Sequence, residues 1–134
     1  MRALLAGGGS PDAFAVAAFF ESGQLLDAVI REMNLDRELF PKAWDEKKKA
    51  WRRERPEPGR SRRALNRRID VTFNSYTGLM ELEVNWGSPQ RAQQVAAGLV
   101  AIADRMLRDA AVLEGERRVE ELRREMDTAA VSEI

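Results

Sequence analysis

The clearest hydrophobic pattern in the chain lies between Ile69 and Met126. Ile69, Val71 and Phe73 alternate with Asp70, Thr72 and Asn74. Met80, Leu82, Val84 and Trp86 alternate with Glu81, Glu83 and Asn85. Period two on both arms, around a turn containing Thr77-Gly78, predicts an antiparallel hairpin with one apolar face. A hairpin alone is marginal in water, so a third strand is needed, and no other stretch offers an obvious one. Gly87-Ser88-Pro89 then opens a helical pattern, with Ser88 as cap and Pro89 at the first position. Its apolar set is Ala92, Val95, Ala96, Leu99, Ile102, Ala103, Met106, Ala110 and Leu113. Beyond Leu113 the stripe thins to Val119, Leu122 and Met126. A helix from Pro89 to Asp127 spans about 58 Å at 1.5 Å per residue, while a domain of this length is about 30 Å across. The end of the helix is therefore expected to project, or to pair with something outside the chain.

From Glu114 to Asp127 ten of fourteen residues are charged, which leaves only a narrow apolar seam of the kind found in a coiled-coil arm. Glu114–Arg118, Arg117–Glu121 and Glu120–Arg124 have the spacing of i,i+4 ion pairs, each worth a few tenths of a kcal/mol. Gly98 and Gly115 each cost the helix roughly 1 kcal/mol relative to alanine.

Upstream, Ser10-Pro11-Asp12 reads as a helix start. Phe14, Ala17, Ala18 and Phe20 give it one apolar face. Ser22-Gly23 interrupts and caps a second helix carrying Leu26, Val29, Ile30 and Met33, which Asn34 ends. Leu35 and Phe40 pack near its end. Pro41 to about Glu54 reads as another helix, with Trp44 and Trp51 on one side. Pro56-Glu57-Pro58-Gly59 reads as a linker, and Ser61 as the cap of a short helix through Arg68. The expected fold is α+β: a small antiparallel sheet packed on helices, with a long projecting C-terminal helix. The expected organisation is a flexible lead-in over 1–10, a base domain over 11–113 with its hairpin at 69–86, and the start of a helical arm over 114–134.

The chain has no cysteine and no histidine. Disulfides and thiolate metal sites are excluded, and the commonest general base and metal ligand is missing. Glu81 and Glu83 share a strand face, but no nucleophile or third ligand adjoins them. Gly7-Gly8-Gly9-Ser10 lacks the Gly-Lys-Ser/Thr pattern of a phosphate loop and reads as linker. These residues predict no catalytic site, no cofactor and no metal. No apolar run approaches the ~20 residues of a membrane helix, and Ala3 to Ala6 is too short for a signal-peptide core.

The net charge of zero hides an asymmetry. Lys42 to Arg68 holds twelve Lys/Arg against four Asp/Glu, so the remainder is equally acidic. Lys47, Lys48, Lys49, Arg52, Arg53 and Arg55 are candidate residues for an anionic partner: lipid headgroups or an acidic or phosphate-linked glycan. A solvated face paired with the chain's own acidic helix is the alternative. No helix-turn-helix, zinc or RNA-recognition pattern accompanies the charge, so nucleic acid is not the expected partner. Trp44 and Trp51 are candidates for stacking on sugar rings, although tryptophans more often anchor a core or an interface. Val119, Leu122 and Met126 are the candidate oligomer seam.

Four stretches, in this order, carry a family resemblance: FFESGQLLDAVIREMNL (19–35), LFPKAWDEKKKAWR (39–52), TGLMELEVNWGSPQRAQQVAAGLV (77–100) and VEELRREMDTAAVSEI (119–134). Together they resemble the periplasmic portion of the Wzz-type polysaccharide co-polymerases. Those are the chain-length determinants of lipopolysaccharide O antigen and related exopolysaccharide and capsule systems. The third stretch is the most specific: Thr-Gly-Leu, alternating apolar residues, a Ser-Pro pair and a helix. The family's Asn-Ala near the start of the long helix is replaced here by Ala97-Gly98. The resemblance implies a non-catalytic regulator of polysaccharide chain length. The parent would be an inner-membrane homo-oligomer with this segment in the periplasm, and its partners would be a polymerase or export machinery. It also implies that the chain is a fragment, since the family's membrane helices, first strand, returning helical segment and proline-rich motif are missing. An adaptor for capsule or exopolysaccharide export, docking a transporter or outer-membrane channel, is the alternative of another class.

Overall fold

A computed structural model of the chain describes residues 2–6 and 18–132. The fold is α+β, with two antiparallel sheets, short helices and a long C-terminal helix. The chain divides into one unit at Met1–Ala103 and a second at Asp104–Ile134. The helix start expected at Ser10-Pro11-Asp12, with Phe14 and Ala17, lies outside the described residues.

In the first unit the larger sheet has the order β1-β5-β4, all antiparallel. Strands β4 (Ile69–Asn74) and β5 (Leu79–Val84) are the expected hairpin, with Ile69 opposite Val84 and Phe73 opposite Met80. Asn74 builds its turn. The side-chain oxygen accepts from the N–H groups of Tyr76 and Thr77, and the carbonyl accepts from Gly78 at 2.9 Å. Gly78 closes the turn at φ 69°, a conformation that costs a residue with a Cβ. The third strand is β1 (Arg2–Ala6), which pairs with β5 in the register Ala3 to Leu82 and Leu5 to Met80. Over residues 2–6 this replaces the expected flexible lead-in, and the rest of 1–10 lies outside the described residues. The segment is too short to show alternation and borders three glycines, so only its partner reveals it as a strand.

Three helices follow local signals. Helix α1 (Gly23–Met33) is capped by Ser22, whose hydroxyl accepts the Leu25 N–H at 3.3 Å, and ends at Asn34 in the left-handed region at φ 53°. Helix α2 (Asp36–Leu39) is a single turn. Helix α3 (Pro58–Asn66) starts at the second proline of the expected linker, because proline suits the first turn of a helix. Ser61 is not its cap; it lies inside the helix and is buried.

The expected helix from Pro41 to Glu54 is instead a small hairpin, β2 (Trp44–Asp45) and β3 (Ala50–Trp51). Asp45 turns the chain by accepting the N–H groups of Lys47 and Lys48 at 3.0 and 3.1 Å. A side chain that captures those amides competes with the helical ladder. Lys49 then takes φ 52°, which a helix does not allow.

The core joins Leu25, Leu26 and Val29 of α1, Leu35, Leu65 of α3, and Met80, Leu82 and Val84 of β5. Val95, Ala96, Leu99, Ile102 and Ala103 complete it. Those last residues belong to helix α4 (Pro89–Ser132), whose Ser88 cap accepts the Arg91 N–H at 3.1 Å as the sequence predicts. A fully buried leucine or valine contributes about 1.5–3 kcal/mol, so this cluster dominates the stability of the first unit.

The second unit is the rest of α4. The helix runs unbroken through Gly115. Glu114–Arg118 and Glu120–Arg124 approach to 3.5 and 3.6 Å, and Arg117 reaches back to Glu114 at 3.9 Å. Val112, Leu113, Val119, Leu122 and Met126 are all at least half exposed.

Candidate functional site

The basic block separates into two kinds of residue. Arg55 binds Asp36, which is only 2% exposed, through Nε at 2.7 Å and Nη2 at 2.6 Å. The same carboxylate accepts the Arg37 N–H at 3.0 Å, so the buried charge is compensated. Arg52 lies 4.0 Å from Asp45, and Lys49 pairs with Glu46. Lys49, together with a hydrogen bond from Trp44, holds the Glu46 carboxyl below its ordinary range. Lys47, Lys48 and Arg53 are exposed, and their side chains meet no acid among the described residues.

Trp44 and Trp51 are brought together across β2 and β3, with ring centroids 5.1 Å apart and planes at 72°. The Arg37 guanidinium sits 4.2 Å from the centre of the Trp44 ring. Trp44 is buried, while Trp51 is half-buried. Trp44 therefore acts as an anchor of the first unit, and only Trp51 retains accessible ring surface for a ligand.

A second cluster has no sequence signal, because its members are far apart in the chain. Glu38 accepts Nε of Arg91 at 2.8 Å, Nη2 of Arg91 at 2.7 Å and the Trp86 indole N–H at 3.2 Å. The Arg91 hydrogen bonds hold the Glu38 carboxyl below its ordinary value of 4.5, against the opposite pull of partial burial, and Glu38 in turn raises the Arg91 value. Arg68 covers the Trp86 ring at 4.8 Å. Asp27 and Arg62 form a similar two-bond lock between α1 and α3 at 2.9 and 2.8 Å. Beside that lock and Asp36–Arg55 lies a cleft of about 620 Å³, lined also by Ile30, Arg31, Pro56 and Pro58.

Among the described residues no group of three or more Asp, Glu, His or Cys is placed to hold a metal ion. No described helix is long and apolar enough to cross a membrane. The geometry offers contact surfaces: exposed cations on the β2–β3 hairpin in the first unit and an exposed apolar seam on α4 in the second. Compared with known proteins, the chain matches no family model and no curated sequence.

Proposed function

We propose that this chain regulates the length of a surface polysaccharide without catalysing bond formation, as the periplasmic part of an oligomeric inner-membrane protein of the Wzz type. The observation that carries the reading is the passage from hairpin to helix. The Thr77-Gly78 turn, the buried Leu82 and Val84, and the Ser88-Pro89 cap lead without interruption into a 44-residue helix. That is the order of features in the most specific of the four resembling stretches. In the proposed mechanism protomers associate through their first units, and the assembly presents a surface to a polymerase or to the growing glycan.

The test is deletion of the coding region in the native host, followed by electrophoretic sizing of the surface polysaccharide. The expected result is polymer of normal composition that has lost its preferred length, with the length restored by complementation. Complete loss of surface polymer would overturn the reading in favour of an export adaptor. An unchanged length distribution would overturn it outright.

A further inference from the structure

Helix α3 and the turn that ends it carry Arg60, Arg62, Arg63, Arg67 and Arg68, and these divide by face. Two are engaged: Arg62 binds Asp27 at 2.9 and 2.8 Å, and Arg68 covers the Trp86 ring at 4.8 Å. Ser61 and Leu65, both buried, mark the side of the helix that faces the core. With about 3.6 residues per turn, Arg60, Arg63 and Arg67 fall within about 60° of one another on the opposite side. All three are exposed, as is Asn66 between them, and they meet no acid among the described residues. The Arg60 guanidinium lies 4.8 Å over the Phe40 ring.

Like charges three and four positions apart weaken a helix, so this row is unfavourable where it stands. The helix dipole favours Arg63 and Arg67 near the C-terminal end. It disfavours Arg60 in the first turn, where no acid offsets it. On α4 the same chain does pair its cations, Glu114 with Arg118 and Glu120 with Arg124. At 1.5 Å per residue the three arginines extend over about 10 Å of the helix axis. A small anion that meets one exposed guanidinium gains little. A linear polyanion that meets three in succession gains from each, because the later contacts are intramolecular once the first has formed. Short arginine-rich runs bind acidic glycans and nucleic acids by this means. No aromatic residue stands on the exposed arc, so a nucleic acid finds no stacking platform there and a membrane interface no aromatic anchor.

We propose that Arg60, Arg63 and Arg67 form a binding surface for a linear acidic polysaccharide, whose carboxylates they meet in succession. The inference deepens the chain-length reading and rests on it for the source of the polymer: the growing glycan is assigned to the acidic class.

The probe is a polygalacturonate oligomer, titrated into the full chain at low salt, with the methyl-esterified oligomer of the same length as its uncharged counterpart. The acidic oligomer should bind, its binding should fall with added salt, and the ester should not bind. Arg63→Gln together with Arg67→Gln should raise the dissociation constant about tenfold. Lysine at the same two positions should hold it within about threefold of wild type, because the charge remains. Arg117→Gln with Arg123→Gln removes equal charge from α4 and should change binding less than about twofold. All four positions are exposed, and thermal unfolding checks that each variant is folded. No binding by the wild type, equal binding of the ester, an α4 variant as weak as the α3 variant, or a loss that lysine does not restore would each overturn the proposal. Tighter binding of an oligonucleotide or of anionic vesicles at equal charge, lost in the same α3 variant, would overturn it in favour of that partner. Absent binding beside a lost preferred length on deletion removes this surface and leaves the chain-length reading standing. Binding beside an unchanged length supports the surface and removes that reading.

Discussion

Trp44 and Trp51 meet edge to face across the β2–β3 hairpin, their ring centroids 5.1 Å apart. On a continuous helix the same two residues would be separated by two turns, about 10 Å along the axis, with no ring contact. The contact therefore distinguishes the two structures energetically. Trp44→Ala should cost about 3–5 kcal/mol, as expected for a buried tryptophan, and Trp51→Ala less, because it is half-buried. A double-mutant cycle on unfolding free energies should return a coupling of about 0.5–1.5 kcal/mol. A coupling near zero would contradict the cross-strand pair.

Glu38 makes stability depend on pH in a definite direction. Its carboxyl is held below 4.5, first by the hydrogen bonds from Arg91 and then by the charge of Arg91 and the bond from Trp86, while burial opposes them. A carboxylate with a lowered folded pKa contributes stability that is complete above its unfolded value and lost as pH falls through the folded value. Glu38→Gln should be less stable than wild type near neutrality by roughly 1–2 kcal/mol. It should lose less stability than wild type as pH falls below 4.5. Denaturant titrations followed by tryptophan fluorescence measure both. Parallel decline of the two proteins would show that the Arg91 bond contributes nothing.

What was legible in the sequence was local. Ser22, Asn34, Ser88 and Pro89 act on neighbouring amides, and the alternation of β4 and β5 is complete within each strand. The misread elements depend on partners elsewhere. A separation of seven positions from Trp44 to Trp51 fits two helical turns as well as a cross-strand pair around a four-residue turn, and the Asp45 bonds to Lys47 and Lys48 decide between them. β1 exists as a strand only through β5, some eighty residues away. Trp86 and Arg91 lie 48 and 53 residues from Glu38, so no spacing rule connects them. The candidate basic surface was visible as charge, but the division between engaged and free cations follows from Asp36, which no composition argument places beside Arg55.

The two interior glycines of α4 should respond oppositely to alanine. At Gly115 a methyl group meets open space, so Gly115→Ala should gain up to about 1 kcal/mol of helix propensity. At Gly98 the same methyl lies 2.4 Å from Met33 Sδ, and the displacement of that side chain offsets the gain. Gly98→Ala should be no more stable than wild type. Thermal unfolding of the two variants side by side tests the packing of α1 on α4. A stabilised Gly98→Ala would show that Met33 does not lie there.

The six candidate cations should separate into two classes. Arg55→Gln leaves the Asp36 carboxylate buried with only the Arg37 amide, and should cost roughly 1–3 kcal/mol of stability. Lys47, Lys48 and Arg53 engage no acid among the described residues, so changing all three to Gln should shift stability by less than about 0.5 kcal/mol each. The triple variant should nevertheless bind vesicles containing anionic phospholipid more weakly than wild type. Wild-type binding should fall with added salt, because exposed charges are screened over about 10 Å at 0.1 M. Vesicle co-sedimentation and thermal unfolding on the same preparations measure the two effects separately. If the triple variant unfolds, the three cations are structural. If it folds and binds vesicles as wild type does, the hairpin is a solvated face, and an anionic partner must be sought on other cations such as Arg63 and Arg67.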